Sequence, residues 1–264
     1  FKFLNAGVAS YSSYIYLKKI EEIIKNNSDL KVREVIVFLD KSDVSDDERY
    51  LNKPAFFKNT KGKFINQRKE DFLGDLKELS FWRFYTKQTI SGKIIKLGTD
   101  QIENFLSNIK KRSFISKKLN KSFFEVTEIE IKAIKSINNK PHIRNWYLGP
   151  TWEERTKKNI KFSVENLNKL KDFLRKKNID FLVVLYPWSF EIDNEEIREK
   201  YLEFIIPLLN ENKINNLSVY EGFLKGNIYE SIGKNYLYND IHFNRNGNQV
   251  IVNELLRKIN QWKN

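Results

Sequence analysis

Short runs of apolar residues alternate with amphipathic segments near the start of the chain and over its last third. Four runs predict buried β-strands: Phe1–Asn5, Val35–Leu39, Phe181–Tyr186 and Leu217–Tyr220. Three segments with apolar residues three or four positions apart predict helices with one apolar face: Tyr11–Lys25, Glu154–Lys177 and Glu195–Asn210. This alternation is typical of βαβ units. It predicts an α/β fold whose parallel sheet carries helices on both faces.

The span from about Tyr50 to Gly149 interrupts this alternation. It contains two helical patterns, Lys69–Thr86 and Asp100–Lys118, and a group of aromatic and basic residues at Phe81–Tyr85. Interleaved aromatic and basic side chains bind nucleic acid or sugars in some proteins, but the helical spacing favours packing on the parent domain. We therefore predict one α/β domain over residues 1–264, with a mostly helical subdomain inserted at about 50–149.

Polar and glycine-containing loops follow three of the predicted strands. These loops are Gly7–Ser13, Asp40–Glu48 and Pro187–Ile192. In open parallel sheets, ligands bind beyond the carboxyl ends of the strands. The sequence therefore predicts that these loops border a binding site at one edge of the sheet.

A histidine and an acidic residue precede the last predicted helix. Asp240 comes two positions before His242, and Asn244 is a good N-cap for the helix that follows. A carboxylate beside a loop histidine suits a general base held in one tautomer. An exposed polar loop before a surface helix is the alternative. The other histidine, His142, has no acidic residue near it in sequence, which favours a structural or exposed role.

Composition excludes several classes of function. The chain has no cysteine and only two histidines, which rules out thiolate catalysis and cysteine-based metal sites, so no metal site is predicted. The net charge of +13 comes mostly from scattered lysines, which favours a solvated surface over a nucleic-acid interface. No apolar run approaches the roughly 20 residues that span a bilayer. The chain has no methionine and opens on an apolar run at Phe1, which predicts a fragment or processed product.

Several of these loops together resemble motifs of the SGNH, or GDSL-type, hydrolase and acyltransferase superfamily. The segment Asn5–Ser12 resembles the second block of that family, and Asp40–Asp43 occupies the place of the third. The segment Asp240–Gly247 resembles the fifth block, and the turn Tyr186–Trp188 is similar to one in bacterial members. The resemblance covers the beginning and about the last third of the chain, and none of the predicted insertion.

The resemblance implies a three-layer, flavodoxin-like fold and a Ser-His-Asp mechanism. In that mechanism His242 acts as base and then acid, and Asp240 orients it. Gly7 and Ser42 are expected to supply oxyanion donors, with Asp43 beside them. The family places its nucleophilic serine in a Gly-Asp-Ser block on a first strand, which is expected upstream of Phe1 and missing here.

The sequence also departs from the family pattern. Ser42 stands where the third block has an asparagine, and loss of one oxyanion donor typically costs about 10² to 10³ in rate. Asp240 lies two residues before His242, whereas the usual spacing is three; some carbohydrate O-acetyltransferase relatives resemble this chain in that respect. Ser10, Ser12 and Ser13 are conceivable substitutes for the nucleophile, although their turn is expected to supply donors instead.

The resemblance implies an ester hydrolase or O-acyltransferase that acts on an acylated carbohydrate or similar polyol, without a cofactor. One alternative is a catalytically inactive SGNH-like protein that binds glycans. A second alternative is a basic module that binds nucleic acid, which the scattered lysines disfavour. An extracytoplasmic location, in the periplasm or cell envelope, is implied by the resemblance alone, and the sequence leaves the oligomeric state open.

Overall fold

The computed structural model describes residues 4–7, 12–27, 29–51, 116–120, 125–138 and 145–263, together with Ser113 and Ser122. The chain divides into two compact units, one of residues 1–54 and 128–264 and the other of residues 55–127. Most of the predicted insertion lies outside the described residues, as do His142 and Ser10. The last part of that predicted insertion, from Glu128 onwards, belongs to the first unit.

Three described strands form a parallel sheet in the order β1–β2–β3. They are β1 (Glu34–Leu39), β2 (Asp180–Leu185) and β3 (Asn216–Ser218). The prediction of an α/β fold with a parallel sheet is therefore confirmed. The strand predicted at the start of the chain is wrong in its described part, because Leu4 and Asn5 lie in no strand and Leu4 is exposed.

β2 is the central strand and the most buried of the three described strands. Its residues from Phe181 to Leu185 are all buried, as expected for a strand covered on both faces. In β1, Val37 and Leu39 are buried, whereas Phe38 between them is 41% exposed. The fourth predicted strand is shorter than expected, since Tyr220 already begins a helix.

Helices whose bounds are defined within the described residues lie before, between and after these strands. They are α1 (Ser13–Asn26), α2 (Lys41–Leu51), α3 (Glu128–Ile137), α4 (Gly149–Thr151), α5 (Lys157–Arg175), α6 (Ser189–Asp193), α7 (Glu195–Glu211), α8 (Tyr220–Phe223), α9 (Ile228–Asn235) and α10 (Arg245–Lys263). A π-helical turn at Trp152–Thr156 joins α4 to α5. The helices predicted at Tyr11–Lys25, Glu154–Lys177 and Glu195–Asn210 correspond to α1, α5 and α7, with shifts of a few residues at some ends, and the helix predicted after Asn244 corresponds to α10. The helical patterns at Lys69–Thr86 and Asp100–Lys118 lie largely outside the described residues.

Helix α5 is the principal packing partner of α1 and α2. Its apolar residues recur at helical spacing and are all buried: Ile160, Val164, Leu167, Leu170 and Leu174. This stripe gives the helix one face for the core and leaves the other for solvent.

A buried carboxylate connects α1, α2 and α5. Asp47 accepts hydrogen bonds from the hydroxyls of Ser13 and Ser163, each at 2.5 Å, and from the Tyr14 backbone N–H at 2.9 Å. It thereby satisfies an N–H in the first turn of α1 that helix geometry leaves without a partner. Asp47 is fully buried, so these donors compensate the loss of its hydration.

Within the part of the chain that the structure describes, no helix combines the length and apolar character needed to cross a bilayer.

Candidate active site

The segment that holds Asp240 and His242 is a closed turn. Tyr236 and Phe243 form an antiparallel bridge, and the Leu237 N–H donates to the His242 carbonyl oxygen at 2.9 Å. Asn239, at the tip, has φ of +54°, a left-handed conformation that asparagine tolerates better than most residues. The turn therefore has its own backbone framework, independent of the sheet.

Asp240 and His242 are in direct contact. Their Oδ1 and Nδ1 atoms lie 2.7 Å apart, and the N–H groups of Ile241 and His242 donate to the same carboxylate oxygen at 2.6 and 3.2 Å. Partial burial raises the pKa of Asp240, but the hydrogen bonds from His242 and Ile241 outweigh this and hold it below its ordinary value. The carboxylate is thus kept ionised beside the imidazole.

This contact favours one tautomer of the His242 imidazole. When Nδ1 donates its hydrogen to Asp240, the lone pair of Nε2 is left to accept a proton from another group. The His242 side chain is 69% exposed, so that nitrogen is accessible. The Asp240–His242 pair, called the dyad below, has the local geometry of a general base.

An aromatic cluster anchors the residue next to His242. The Phe243 ring stacks on Phe223 at a centroid distance of 5.0 Å and also contacts the rings of Tyr236 (4.9 Å) and Tyr186 (5.6 Å). Tyr236 in turn donates a hydrogen bond to the Pro187 carbonyl oxygen at 2.8 Å. These contacts fasten the dyad turn to the segment that follows β2.

Asn244 and Gly247 determine how α10 leaves the dyad turn. The Asn244 Oδ1 accepts from the N–H groups of Asn246 and Gly247, which confirms Asn244 as the N-cap. A Cβ atom on Gly247 would lie 2.3 Å from the Asn235 carbonyl oxygen and 2.8 Å from the Phe243 ring. The helix therefore approaches the turn so closely that only glycine fits at position 247.

The Asp40–Asp43 segment is the start of α2 and not the loop that the sequence predicted. The Asp40 carboxylate accepts from the N–H groups of Ser42 (2.6 Å) and Asp43 (3.2 Å), while the Asp43 carboxylate accepts from the Asp40 N–H at 3.1 Å. This reciprocal arrangement is a capping box. The Ser42 hydroxyl also donates to Asp40, at 2.6 Å, so its hydrogen is used within this turn.

Asp43 is a buried carboxyl with an unusual ionisation. Burial raises its pKa well above the ordinary value, and the nearby charges of Asp40 and Asp47 raise it further. Tyr16 donates a hydrogen bond to Asp43 at 2.9 Å.

Among the described residues, no group of three His, Cys, Asp or Glu side chains is arranged to hold a metal ion.

The remaining predicted site residues lie in the first described segments. The Gly7 N–H donates to Asn5 Oδ1 at 2.9 Å, and Gly7 is exposed. Ser12 is fully buried, and the Ser13 hydroxyl is bound to Asp47. No contact found within the described residues joins Gly7, Ser12 or Ser13 to the dyad.

A buried ion pair near the strand ends is a feature that the sequence did not predict. Lys41 Nζ lies 2.7 Å from Glu191 Oε1, and both side chains are fully buried. The Lys41 ammonium faces the rings of Tyr147 and Tyr201, with centroid distances of 3.8 and 4.4 Å. Burial lowers the pKa of Lys41 to about 8, although Glu191 opposes this effect.

Glu191 extends this pair to the other strand ends. Its Oε1 accepts from the Tyr220 hydroxyl at 2.5 Å, and its Oε2 accepts from the Trp188 N–H at 2.8 Å. Lys41 follows β1, Glu191 follows β2 and Tyr220 follows β3. The network therefore connects all three described strands at their carboxyl ends. A lysine is almost never fully buried unless it is paired, and the partner of Lys41 is distant in sequence. No local sequence pattern therefore indicates that Lys41 is buried.

In comparisons with known proteins, no family model, curated protein or solved structure matches this chain.

Proposed function

We propose that this protein is an SGNH-like ester hydrolase or O-acyltransferase that acts on an acylated carbohydrate or similar polyol. The observation that carries the proposal is the 2.7 Å contact between Asp240 and an exposed His242. A carboxylate that binds Nδ1 and a free Nε2 are what a Ser-His-Asp mechanism requires of its last two members. The proposal includes a three-layer, flavodoxin-like arrangement of the sheet and helices.

The contacts of Tyr186 support a shared site at the sheet edge. Its hydroxyl donates to Asp40 Oδ2 at 2.9 Å, and its ring contacts Phe243, the neighbour of His242. The start of α2 and the dyad turn therefore meet on one side chain that follows β2. This is the edge at which open α/β sheets bind ligands.

The proposed reaction proceeds in two steps. A serine hydroxyl, supplied from outside the described residues, attacks the ester carbonyl carbon while His242 Nε2 takes its proton. The tetrahedral intermediate then expels the alcohol, which receives that proton from His242, and leaves an acyl-serine. Water or a second hydroxyl next attacks the acyl group, with His242 again acting as base and then acid. Asp240 stabilises the imidazolium at each step.

The test is hydrolysis of p-nitrophenyl acetate by the full-length protein. We expect activity that His242→Ala abolishes and that Asp240→Asn lowers by about 10⁴, since an amide no longer holds the productive tautomer. His142→Ala is the matched control, because it removes the only other histidine and should leave activity unchanged. Transfer to sugar hydroxyls is then assayed with acetylated and unacetylated oligosaccharides.

A catalytically inactive, glycan-binding protein is the second candidate function. It is favoured by Ser42, which stands in place of the family's asparagine and donates its hydroxyl hydrogen to Asp40. Full-length protein that binds glycans but shows neither hydrolysis nor transfer would support this candidate and refute the enzyme.

A further inference from the structure

The side chain of Asn244 hydrogen-bonds to backbone on both sides of the dyad turn. Its amide nitrogen, Nδ2, donates to the carbonyl oxygens of Lys234 (2.7 Å) and Tyr236 (3.1 Å). Its amide oxygen, Oδ1, accepts from the N–H groups of Asn246 (2.8 Å) and Gly247 (3.2 Å). An asparagine amide has two hydrogens to donate and two lone pairs that accept, so these four bonds use its full capacity.

The bonds from Nδ2 are separate from the capping of α10. An N-cap needs only a side-chain oxygen, and aspartate serves in that role as well as asparagine. The Lys234 carbonyl lies in the last turn of α9, where helix geometry leaves carbonyl groups without a partner; its oxygen also accepts from Asn246 Nδ2, at 3.3 Å. Tyr236 is the residue whose bridge to Phe243 closes the dyad turn. The Nδ2 group therefore binds the chain where the turn begins, and Oδ1 binds the chain that follows it.

Burial does not hold the two side chains of the dyad. Asp240 is 40% exposed and His242 is 69% exposed, so their position relative to the sheet depends on the backbone of the turn. The buried Ile241 between them anchors that backbone on one side. At the closed end of the turn, the Leu237 N–H donates to the His242 carbonyl oxygen, and the Asn244 N–H donates to the last carbonyl oxygen of α9, both at 2.9 Å. Asn244 thus binds the closed end through its backbone and its side chain.

We propose that Asn244 is a positioning residue for His242. By donating from Nδ2 to Tyr236, it keeps the dyad turn closed and holds the imidazole where its Nε2 atom takes the proton of the nucleophile. This inference rests on the proposed function for the chemistry of the dyad, and it names the residue that fixes the position of the imidazole. A misplacement of about 1 Å in a catalytic site can lower the rate about 10²-fold.

Asn244→Asp separates positioning from capping. The aspartate keeps an oxygen for the first N–H groups of α10, but it cannot donate to the carbonyl oxygens of Lys234 and Tyr236. We expect kcat for hydrolysis of p-nitrophenyl acetate by the full-length protein to fall about 10- to 100-fold, with KM little changed, because the imidazole moves and the substrate contacts do not. Asn248→Asp adds the same charge at an exposed position in the first turn of α10 and is the matched control.

Asn244→Ser tests the same bond without an added charge. A serine hydroxyl also caps helices, but the shorter side chain has no amide to donate to Tyr236. We expect its kcat to fall as that of Asn244→Asp does, which excludes the new charge as the cause. Circular dichroism spectra establish that each variant is folded, and either variant alone is sufficient for the test.

Hydrogen exchange at the Leu237 amide measures closure of the turn independently of catalysis. This N–H is bonded to the His242 carbonyl oxygen and exchanges when that bond opens. We expect NMR to show that its exchange rate rises about fivefold or more in both Asn244 variants, as for the loss of a typical hydrogen bond. The Val183 N–H, bonded to the Asn215 carbonyl oxygen, is the internal control. A general loss of stability would accelerate exchange at both positions.

Three results would overturn the proposal: a wild-type kcat in either Asn244 variant, an equal loss of kcat in Asn248→Asp, or equal acceleration of exchange at Leu237 and Val183. Faster exchange at Leu237 alone, in a protein whose wild-type form hydrolyses no ester, would keep the role of Asn244 in the turn and refute the proposed function. Hydrolysis by the wild-type protein that both Asn244 variants retain in full would do the reverse.

Discussion

The Tyr186 hydroxyl donates a hydrogen bond to Asp40 Oδ2 at 2.9 Å, which joins the end of β2 to the capping box of α2. The ring of the same Tyr186 side chain contacts Phe243 in the aromatic cluster beside the dyad. One side chain therefore makes a polar contact with one predicted part of the site and an apolar contact with another. The two contacts can be removed separately.

We expect Tyr186→Phe to lower the free energy of unfolding by about 1.5–3 kcal/mol, the range for a hydrogen bond to a charged group. The proposed esterase activity should change little, because the ring still packs on Phe243. Tyr186→Ala removes the ring as well and should cost about 3–5 kcal/mol, as for other large-to-small aromatic substitutions. Urea unfolding and hydrolysis of p-nitrophenyl acetate measure the two effects. A full loss of hydrolysis in Tyr186→Phe would contradict this expectation and would mean that the hydroxyl is required for activity.

Gly247→Ala tests the close approach of α10 to the dyad turn. The new methyl group would overlap the Asn235 carbonyl oxygen, at 2.3 Å, so the helix must shift. We expect a loss of about 1–3 kcal/mol in the free energy of unfolding, the usual cost of overpacking. Asn248→Ala changes an exposed neighbour on the same helix and is the control. Equal stabilities for the two variants in urea unfolding would contradict the predicted clash.

The buried ion pair predicts strong coupling between two distant positions. Lys41→Met leaves the buried Glu191 charge without its partner and should cost about 3–5 kcal/mol. Adding Glu191→Gln removes that charge and keeps one acceptor oxygen for the Trp188 N–H, while the amide NH2 can donate to the Tyr220 hydroxyl, so the double variant should recover part of the loss. A double-mutant cycle from urea unfolding measures the coupling. Additive effects of the two substitutions would show that the pair does not interact.

Asp43 predicts a pH dependence of stability. Its pKa in the folded protein lies above the ordinary value of 3.8, so the folded state binds the proton more tightly than the unfolded state. The stabilisation from that proton is complete below the unfolded pKa and is lost as pH rises through the folded pKa. We therefore expect the stability of the wild-type protein relative to Asp43→Asn to fall as pH rises from about 4 towards neutral.

Unfolding free energies of both proteins over that pH range measure this effect. Asp29→Asn, at an exposed position, is the control and should show no such trend. A difference between wild type and Asp43→Asn that is flat or that grows with pH would contradict the raised pKa.

The parts of the fold that the sequence predicted correctly are those determined by local patterns. The apolar run Val35–Leu39 does form β1, although only Val37 and Leu39 in it are buried, and the contact of Asp240 with His242 needs only two residues of separation. The strand prediction at Leu4 was wrong because a few apolar residues do not by themselves distinguish a strand from an irregular segment. Asp40 and Asp43 have the spacing of a capping box, a signal for the start of α2 that was available and was interpreted as a loop.

The residues that connect the strand ends could not be predicted in this way. Lys41 and Glu191 are far apart in the chain, and their pairing depends on the register between β1 and β2. The position of Tyr186 between Asp40 and Phe243 likewise exists only once the sheet has formed. Sequence patterns report local structure well, but these contacts are set by tertiary packing.

The network of Lys41, Glu191 and Tyr220 has a consequence for the order of folding events. Each residue follows a different strand, so the network is complete only when all three strands are aligned. Contacts between residues so distant in sequence carry a large loop-closure cost, which favours their formation after the folding transition state. We then expect Glu191→Gln to accelerate unfolding and to leave the refolding rate nearly unchanged in stopped-flow experiments. A slower refolding rate would instead place this ion pair in the folding nucleus.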